Sequence, residues 1–88
     1  MSGEAPIEAV LDERGKRYGA FKGHAAVTQR LKTVMRNNEG WKNLGDEHKE
    51  ALEMIVHKIG RIVNGDPTYK DSWVDIAGYA QLVSRDLP

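Results

Sequence analysis

The fold is decided by the stretch Asn64-Gly-Asp-Pro-Thr-Tyr-Lys-Asp-Ser-Trp-Val-Asp-Ile-Ala-Gly-Tyr-Ala80. Asn-Gly followed by proline ends one helix, and a new helix begins a few residues later. The new helix carries Asp71 and Asp75 four residues apart, so both carboxylates lie on one side of it. The stretch therefore predicts two consecutive helices joined by a short loop, the second with acidic groups past its first turn.

The second of these helices has two distinct faces. Helical spacing gives one apolar stripe, which we predict to be buried and which consists of Trp73, Ile76, Ala77, Ala80 and Val83. The other face carries Asp75, Gly78, Tyr79 and Leu82. Since that face is not simply polar, we expect it to meet a partner helix, a metal ion or a ligand.

Three further helical segments precede this one. The spacing predicts helices over about 6–16, 20–37 and 46–64, and a fourth from Tyr69 or Asp71 to Arg85. Asp46 is a candidate N-cap of the third helix. No stretch alternates with period two, so the predicted fold is all-α, a small bundle of about four helices in one domain, 1–88, with a flexible segment 1–5. A chain this short buries only about 60–65% of its unfolded surface, and we expect oligomerisation to complete the core.

Composition narrows the class of protein. The chain has no cysteine, its first residues do not have the pattern of a signal peptide, and no apolar run approaches the length of a membrane span, so we expect a soluble cytoplasmic protein. Thirteen basic and thirteen acidic residues give no net charge, which disfavours nucleic-acid binding. Residues 1–44 hold eight basic and five acidic residues, and 45–88 hold five and eight. Either the basic half attracts phosphate and the acidic half a cation, or the two halves form ion pairs with each other.

Carboxylates form the first candidate site. Glu50 and Glu53 are three apart on the third helix and Asp71 and Asp75 are four apart on the fourth, and facing helices can supply the oxygen ligands that Mg²⁺ prefers. The alternatives are a solvated Glu50, a surface pair between Glu53 and His57, and an Asp71 that caps its helix. Asp75 needs a partner if it is buried, because an unpaired buried charge is costly.

Basic and aromatic residues form the second candidate site. Arg14, Lys16, Arg17 and Lys22 surround Tyr18 and Phe21, and such a cluster either grips phosphate and stacks a base or is solvated. Lys58 and Arg61 lie on the predicted outer side of the third helix, where they can pair with acids of a neighbouring helix or subunit. The mid-helix glycines 60 and 78 serve close helix packing or leave room for a ligand. The three histidines do not have zinc-helix spacing.

A family resemblance rests on four segments. They are Glu13-Arg14 with Tyr18-Gly19-x-Phe21; Lys49-Glu-Ala-Leu-Glu-Met-Ile55 with His57-Lys-Ile-x-Arg-Ile62; Asn64-Gly-Asp-Pro67; and Asp71-Ser-Trp-x-Asp-Ile-Ala-Gly-Tyr-Ala80. Over nearly its whole length the chain resembles a family of small phage and prophage proteins. Through its third and fourth helices it resembles the MazG-like all-α nucleoside triphosphate pyrophosphohydrolases and the nucleotide-modification-associated domains.

The resemblance implies a function and a set of site residues. MazG-like enzymes hold Mg²⁺ with Glu-x-x-Glu and Glu-x-x-Asp motifs and split a nucleoside triphosphate into monophosphate and pyrophosphate. Carried over, Glu50, Glu53 and Asp75 are metal ligands, and Asp71 and Asp75 are catalytic, while Ser72 stands where the enzymes carry glutamate. Another register places Lys58 and Arg61 at the first motif. The nucleotide-binding residues of this hypothesis are Arg14, Lys16, Arg17, Tyr18, Lys22, Lys58, Arg61 and Tyr79.

Two other functions stay open from the sequence. One is a non-catalytic phage protein that sequesters a nucleotide or another phosphorylated small molecule without needing Mg²⁺. The other is an interaction module in which the face with Asp75, Tyr79 and Leu82 is a homo-oligomer seam or a docking site for a host protein.

Overall fold

The computed structural model describes residues 6–88, and in this part of the chain every regular element is a helix. Helix α1 spans Ile7–Tyr18, α2 spans Phe21–Asn37, α3 spans Asp46–Asn64 and α4 spans Lys70–Ser84, with a short 3₁₀ segment at Glu39–Asn43. The prediction of an all-α fold with four helices is confirmed. The predicted flexible segment 1–5 lies outside the described residues. No helix among the described residues has the length and apolarity to cross a membrane.

Helix α3 is the centre of the fold. It packs along α4 on one side and α2 on the other, and α1 rests on the junction of α2 and α3. Its N-cap is Gly45 rather than the predicted Asp46, which is the first helical residue and lies where the helix dipole favours a negative charge.

The α2–α3 contact depends on Gly60. A Cβ atom built there would lie 2.5 Å from Thr28 Cγ2 and 2.9 Å from His24 Nδ1, so the two helices approach closely only because residue 60 has no side chain. Close packing is thus the role of Gly60. Gly78 does not serve close helix packing: its Cβ position has no neighbour within 4 Å, and it lies on the exposed side of α4.

The buried interior is small and polar. Ala51 and Val56 are its buried apolar residues, and four polar or charged residues are also buried, namely His24, Thr28, Lys58 and Ser72. The radius of gyration is 15.5 Å, against about 12 Å for a compact domain of this length. The described chain is therefore elongated and buries little apolar surface within itself.

Helix α4 is rotated relative to the prediction. Ser72 is buried, and Asp75 and Tyr79 are half-buried on the same side, whereas Trp73 of the predicted buried stripe is 54% exposed. Ala77 and Ala80 of that stripe are also exposed, so the prediction of the buried stripe was wrong for these three residues. The physical reason is that α3 presents the polar partner Lys58, which draws the acidic side of α4 inward.

The loop between α3 and α4 fastens the end of α1. The Asn64 side-chain amide donates to the carbonyl oxygens of Tyr18 and Ala20, each at 2.9 Å, and the Asp66 N–H donates to the Arg17 carbonyl at 2.6 Å. These bonds tie main-chain carbonyls at the α1–α2 junction to the end of α3. Gly19 turns the chain there with φ of 76°, beside the Asn64 backbone.

Candidate functional site

A cleft of about 430 Å³ opens between the C-terminal half of α1, the start of α2 and the second half of α3. It is the place where the docked α3–α4 loop holds α1 against α3. Its walls are apolar, aromatic and basic, and they are formed by Leu11, Arg14, Gly15, Tyr18, Gly19, Ala20, Phe21, His24, His57 and Arg61. Among residues 6–88, no carboxylate belongs to this lining. The cleft is therefore electropositive with a largely apolar surface.

Three residues of the predicted nucleotide-binding set meet in this cleft. Arg14, Tyr18 and Arg61 all line it, although they come from α1 and α3. The Arg61 guanidinium lies over the Tyr18 ring, 4.1 Å from its centroid, which is a cation–π geometry. The stacking holds both side chains in fixed positions at the wall of the cleft, and the edges of the guanidinium can still donate hydrogen bonds.

The stack continues behind the cleft. Tyr18 meets the ring of Tyr69 edge to face, with centroids 5.9 Å apart, and the Arg17 guanidinium lies 4.5 Å from the Tyr69 centroid. Arg17 also pairs with Glu13 at 2.8 Å. Arg17 is thus placed outside the cleft lining, where it supports Tyr18 through Tyr69 rather than facing a ligand.

The remaining predicted nucleotide-binding residues lie elsewhere. Lys16 and Lys22 are exposed and do not line the cleft. Tyr79 lines a second, more acidic cleft that also contains Glu50. Lys58 is buried rather than on the outer side of α3, and its Nζ lies 2.9 Å from Asp75 Oδ2. The structure thus shows the predicted alternative in which Lys58 pairs with an acidic residue of a neighbouring helix.

The carboxylates of the predicted magnesium site have other partners. Glu53 pairs with Arg36 of α2, Asp75 pairs with Lys58, and Asp71 accepts a hydrogen bond from the Tyr69 hydroxyl at 2.9 Å. Among residues 6–88, no three histidine, cysteine, aspartate or glutamate side chains are grouped as metal ligands. The magnesium site stays a prediction, and occupying it would require these ion pairs to open.

Sequence reasoning missed a pair of histidines. His24 Nε2 lies 3.4 Å from His57 Nδ1, with the two rings edge to face and both residues in the cleft lining. Burial lowers the pKa of His57 to about 4, with further lowering by Arg61. Burial also lowers the pKa of His24. Both imidazoles are therefore neutral near pH 7 and offer hydrogen-bonding groups without adding charge.

Only the packing of α2 on α3 brings these histidines together. They are 33 residues apart in the sequence, and the predicted partner of His57, Glu53, pairs with Arg36 instead. The one sequence signal is Gly60, three residues after His57, which lets α2 approach closely enough for the rings to meet. His24 Nδ1 is buried and has no hydrogen-bond partner in the described part of the chain.

Fold and site together define a small all-α domain with a basic, aromatic cleft beside its central helix. Residues 4–86 match the family described as a domain of unknown function, DUF6378, so the chain belongs to that family. It is also similar to the large ribosomal subunit protein uL30 of Aeropyrum pernix, with 31% identity over 74 residues. That similarity covers 80% of this chain and 45% of the ribosomal protein, so the chain spans less than half of this relative. No solved structure matches the chain.

Proposed function

We propose that the protein binds a nucleotide, as a phosphorylated ligand with an aromatic ring, in the cleft between α1, α2 and α3. The observation that carries the proposal is the meeting of Arg14 and Arg61 with Tyr18 in one apolar cleft, to which the described part of the chain contributes no acidic residue. These are the residue types that hold a phosphate and a flat ring at the same time.

The two arginines provide the anion-binding part. A guanidinium donates several hydrogen bonds in a plane and matches the oxygens of a phosphate. The cation–π contact with Tyr18 orients Arg61 before any ligand arrives, so less side-chain freedom is lost on binding. The neutral His57 beside Arg61 is a further hydrogen-bonding group at the same wall.

The aromatic and aliphatic residues provide the ring-binding part. Phe21 is 79% exposed at the rim of the cleft, and Leu11 on the facing helix is also exposed. Large apolar side chains at the mouth of a cleft are costly unless something covers them. A base that enters between Leu11 and Phe21 would remove both from water.

Binding without chemistry is favoured over hydrolysis by the ion pairs. A magnesium-dependent pyrophosphohydrolase requires free carboxylates, and Glu53 and Asp75 are each held by a cation from another helix. Hydrolysis with Glu50, Glu53, Asp71 and Asp75 as the metal and catalytic residues stays a prediction. Product analysis in the experiment below tests it.

The experiment is a calorimetric titration of the protein with nucleotides, with Mg²⁺ and with EDTA. We expect saturable binding in both buffers and no release of pyrophosphate. Arg14→Gln is expected to weaken binding at least tenfold, because it removes a cleft guanidinium from an exposed position without disturbing the interior. Arg30→Gln is the matched control, since Arg30 is exposed on α2 and outside the cleft lining. Absence of binding by every nucleotide would refute the proposal.

A second role, self-association, is favoured by the outer face of α4. Trp73, Val74 and Leu82 are each about half exposed, and the charged Asp75 turns toward α3. The middle of the outward face is thus uncharged, while the exposed charged residues Lys70, Asp71 and Arg85 lie near the ends of the helix. A second copy related by two-fold symmetry can pack the uncharged middle against itself. Of the predicted seam of Asp75, Tyr79 and Leu82, Leu82 belongs to this outward face, whereas Asp75 pairs with Lys58 of α3. We propose that two copies pair through the outer face of α4.

Light scattering during gel filtration tests the pairing. The unmodified chain is expected at twice the mass of one copy. Ala77→Glu, which places a charge at the middle of the face, is expected to give single copies, and Gln29→Glu on exposed α2 is expected to leave the mass unchanged. A monomer at the highest concentration for the unmodified chain would refute the pairing.

A further inference from the structure

The charges in the cleft define which nucleotides fit it. Arg14 and Arg61 are the cations of the lining, and His57 adds no charge near neutral pH because its pKa is lowered to about 4. Lys58 is outside the lining, and its ammonium group already pairs with Asp75 at 2.9 Å. Two positive charges therefore belong to the lining itself, and Lys32, whose charge also acts on both histidines, lies outside it.

A single phosphate matches this charge. A phosphomonoester carries about −1.5 to −2 at pH 7, which two guanidinium groups neutralise. A triphosphate brings additional negative oxygens, and placing them in a cleft without further cations leaves charge unpaired. Mg²⁺ chelated by the oxygens of the triphosphate itself would lower this charge, so the selection is expected to be strongest in EDTA.

The arrangement of the lining residues fits a ligand with one short anionic group attached to a flat ring system. The arginines lie on α1 and α3, while Leu11 and Phe21 lie at the mouth on α1 and α2. A ligand with one phosphate at the arginines and a base at the mouth uses both parts. A polyphosphate chain would extend beyond the arginines over a largely apolar surface where the neutral His24 and His57 add no cation.

We propose that the cleft selects nucleoside monophosphates over the corresponding triphosphates. This inference rests on the proposed nucleotide-binding function and gives it a substrate class. The selection arises from the number of cations in the lining, so it does not depend on the identity of the base.

The test is a set of calorimetric titrations at pH 7.5 in EDTA and again with Mg²⁺. The four ribonucleoside monophosphates are compared first. For the base that binds best, the monophosphate is then compared with the triphosphate, the nucleoside and inorganic phosphate. We expect the monophosphate to bind at least tenfold more tightly than each of these three. Arg14→Gln is expected to remove this advantage over the nucleoside, and Arg30→Gln is expected to keep it.

The outcomes separate this inference from the function on which it rests. If a triphosphate binds as tightly as its monophosphate or more tightly, monophosphate selection is wrong while nucleotide binding stands. If inorganic phosphate alone binds equally well, the base has no part and the inference is also wrong. If no nucleotide binds, the proposed function fails, and the selection fails with it.

Discussion

The two mid-helix glycines 60 and 78 allow the same substitution to be tested in opposite environments. Each is inside a long helix, where alanine is intrinsically favoured over glycine by about 1 kcal/mol. At Gly78 the new methyl group would meet nothing within 4 Å, so Gly78→Ala is expected to stabilise the protein by about 0.5–1 kcal/mol.

At Gly60 the free-energy cost of overpacking exceeds the gain in helix propensity. The methyl group would lie 2.5 Å from Thr28 Cγ2 and 3.0 Å from His24 Cε1. Both neighbours are buried, and Thr28 is further held by a hydrogen bond from its hydroxyl to the His24 carbonyl at 3.1 Å. Overpacking of this kind costs typically about 1–3 kcal/mol, and at these distances the upper part of the range applies. After the helix-propensity gain, Gly60→Ala is expected to destabilise by about 1–2 kcal/mol.

Thermal unfolding followed by circular dichroism measures both effects. A change of 1 kcal/mol shifts Tm by about 4–8 °C in a domain of this size, so the two variants should lie on opposite sides of the unmodified protein. A Tm raised by Gly60→Ala as well would show that α2 and α3 do not approach at this residue, and the placement of His24 beside His57 would then be wrong too.

Three further predictions concern stability. Folding lowers the pKa of His57 from 6.5 to about 4, so the unfolded state binds more protons than the folded state between these pH values. Stability should therefore fall by ~1–1.5 kcal/mol as the pH drops from 6.5 to 4, after allowing for partial solvation of the ring. Urea titrations at several pH values measure this fall, and His57→Gln should flatten it. Asp75→Asn leaves the buried ammonium of Lys58 without its counter-charge and should destabilise the fold by about 1–2 kcal/mol. This is less than for a fully buried pair, because the Asp75 side chain is 45% exposed. An unchanged urea midpoint would contradict the pairing. Asn64→Ala removes two hydrogen bonds to main-chain carbonyls and should cost about 1–3 kcal/mol; full retention of Tm would show that the loop is not fastened to α1.

The helices could be predicted from the sequence because local signals mark their ends. Apolar periodicity defined α3, and Asn64-Gly65 with Pro67 marked its end, so the prediction and the structure agree on 46–64. Which side of α4 turns inward could not be predicted in the same way. Apolar residues are spread around that helix, and the deciding contact is the ion pair between Lys58 and Asp75, seventeen residues apart on different helices.

The candidate site was predictable in part for a similar reason. Arg14, Tyr18 and Arg61 stand out as basic and aromatic residues, and the structure brings them into one cleft. The histidine pair could not be found, because its two members acquire their shared, weakly solvated environment only when α2 packs on α3. For the carboxylates, spacing in the sequence suggested a site. The spacing of Glu53 and Asp75 resembles a metal-binding pattern, but it could not show that each of them pairs with a cation of another helix.

The α3–α4 loop connects folding to binding in this chain. Asn64 holds the end of α1, and Arg61, three residues earlier on the same helix, stacks on Tyr18 of the helix that Asn64 fastens. The contacts that close the fold therefore also set the distance across the cleft wall. A ligand that bridges Arg14 and Arg61 would strengthen the same α1–α3 contact and stabilise the folded state in proportion to its affinity. Asn64→Ala should accordingly weaken ligand binding although Asn64 is outside the cleft lining, whereas Gly78→Ala, on the far side of α4, should leave it unchanged.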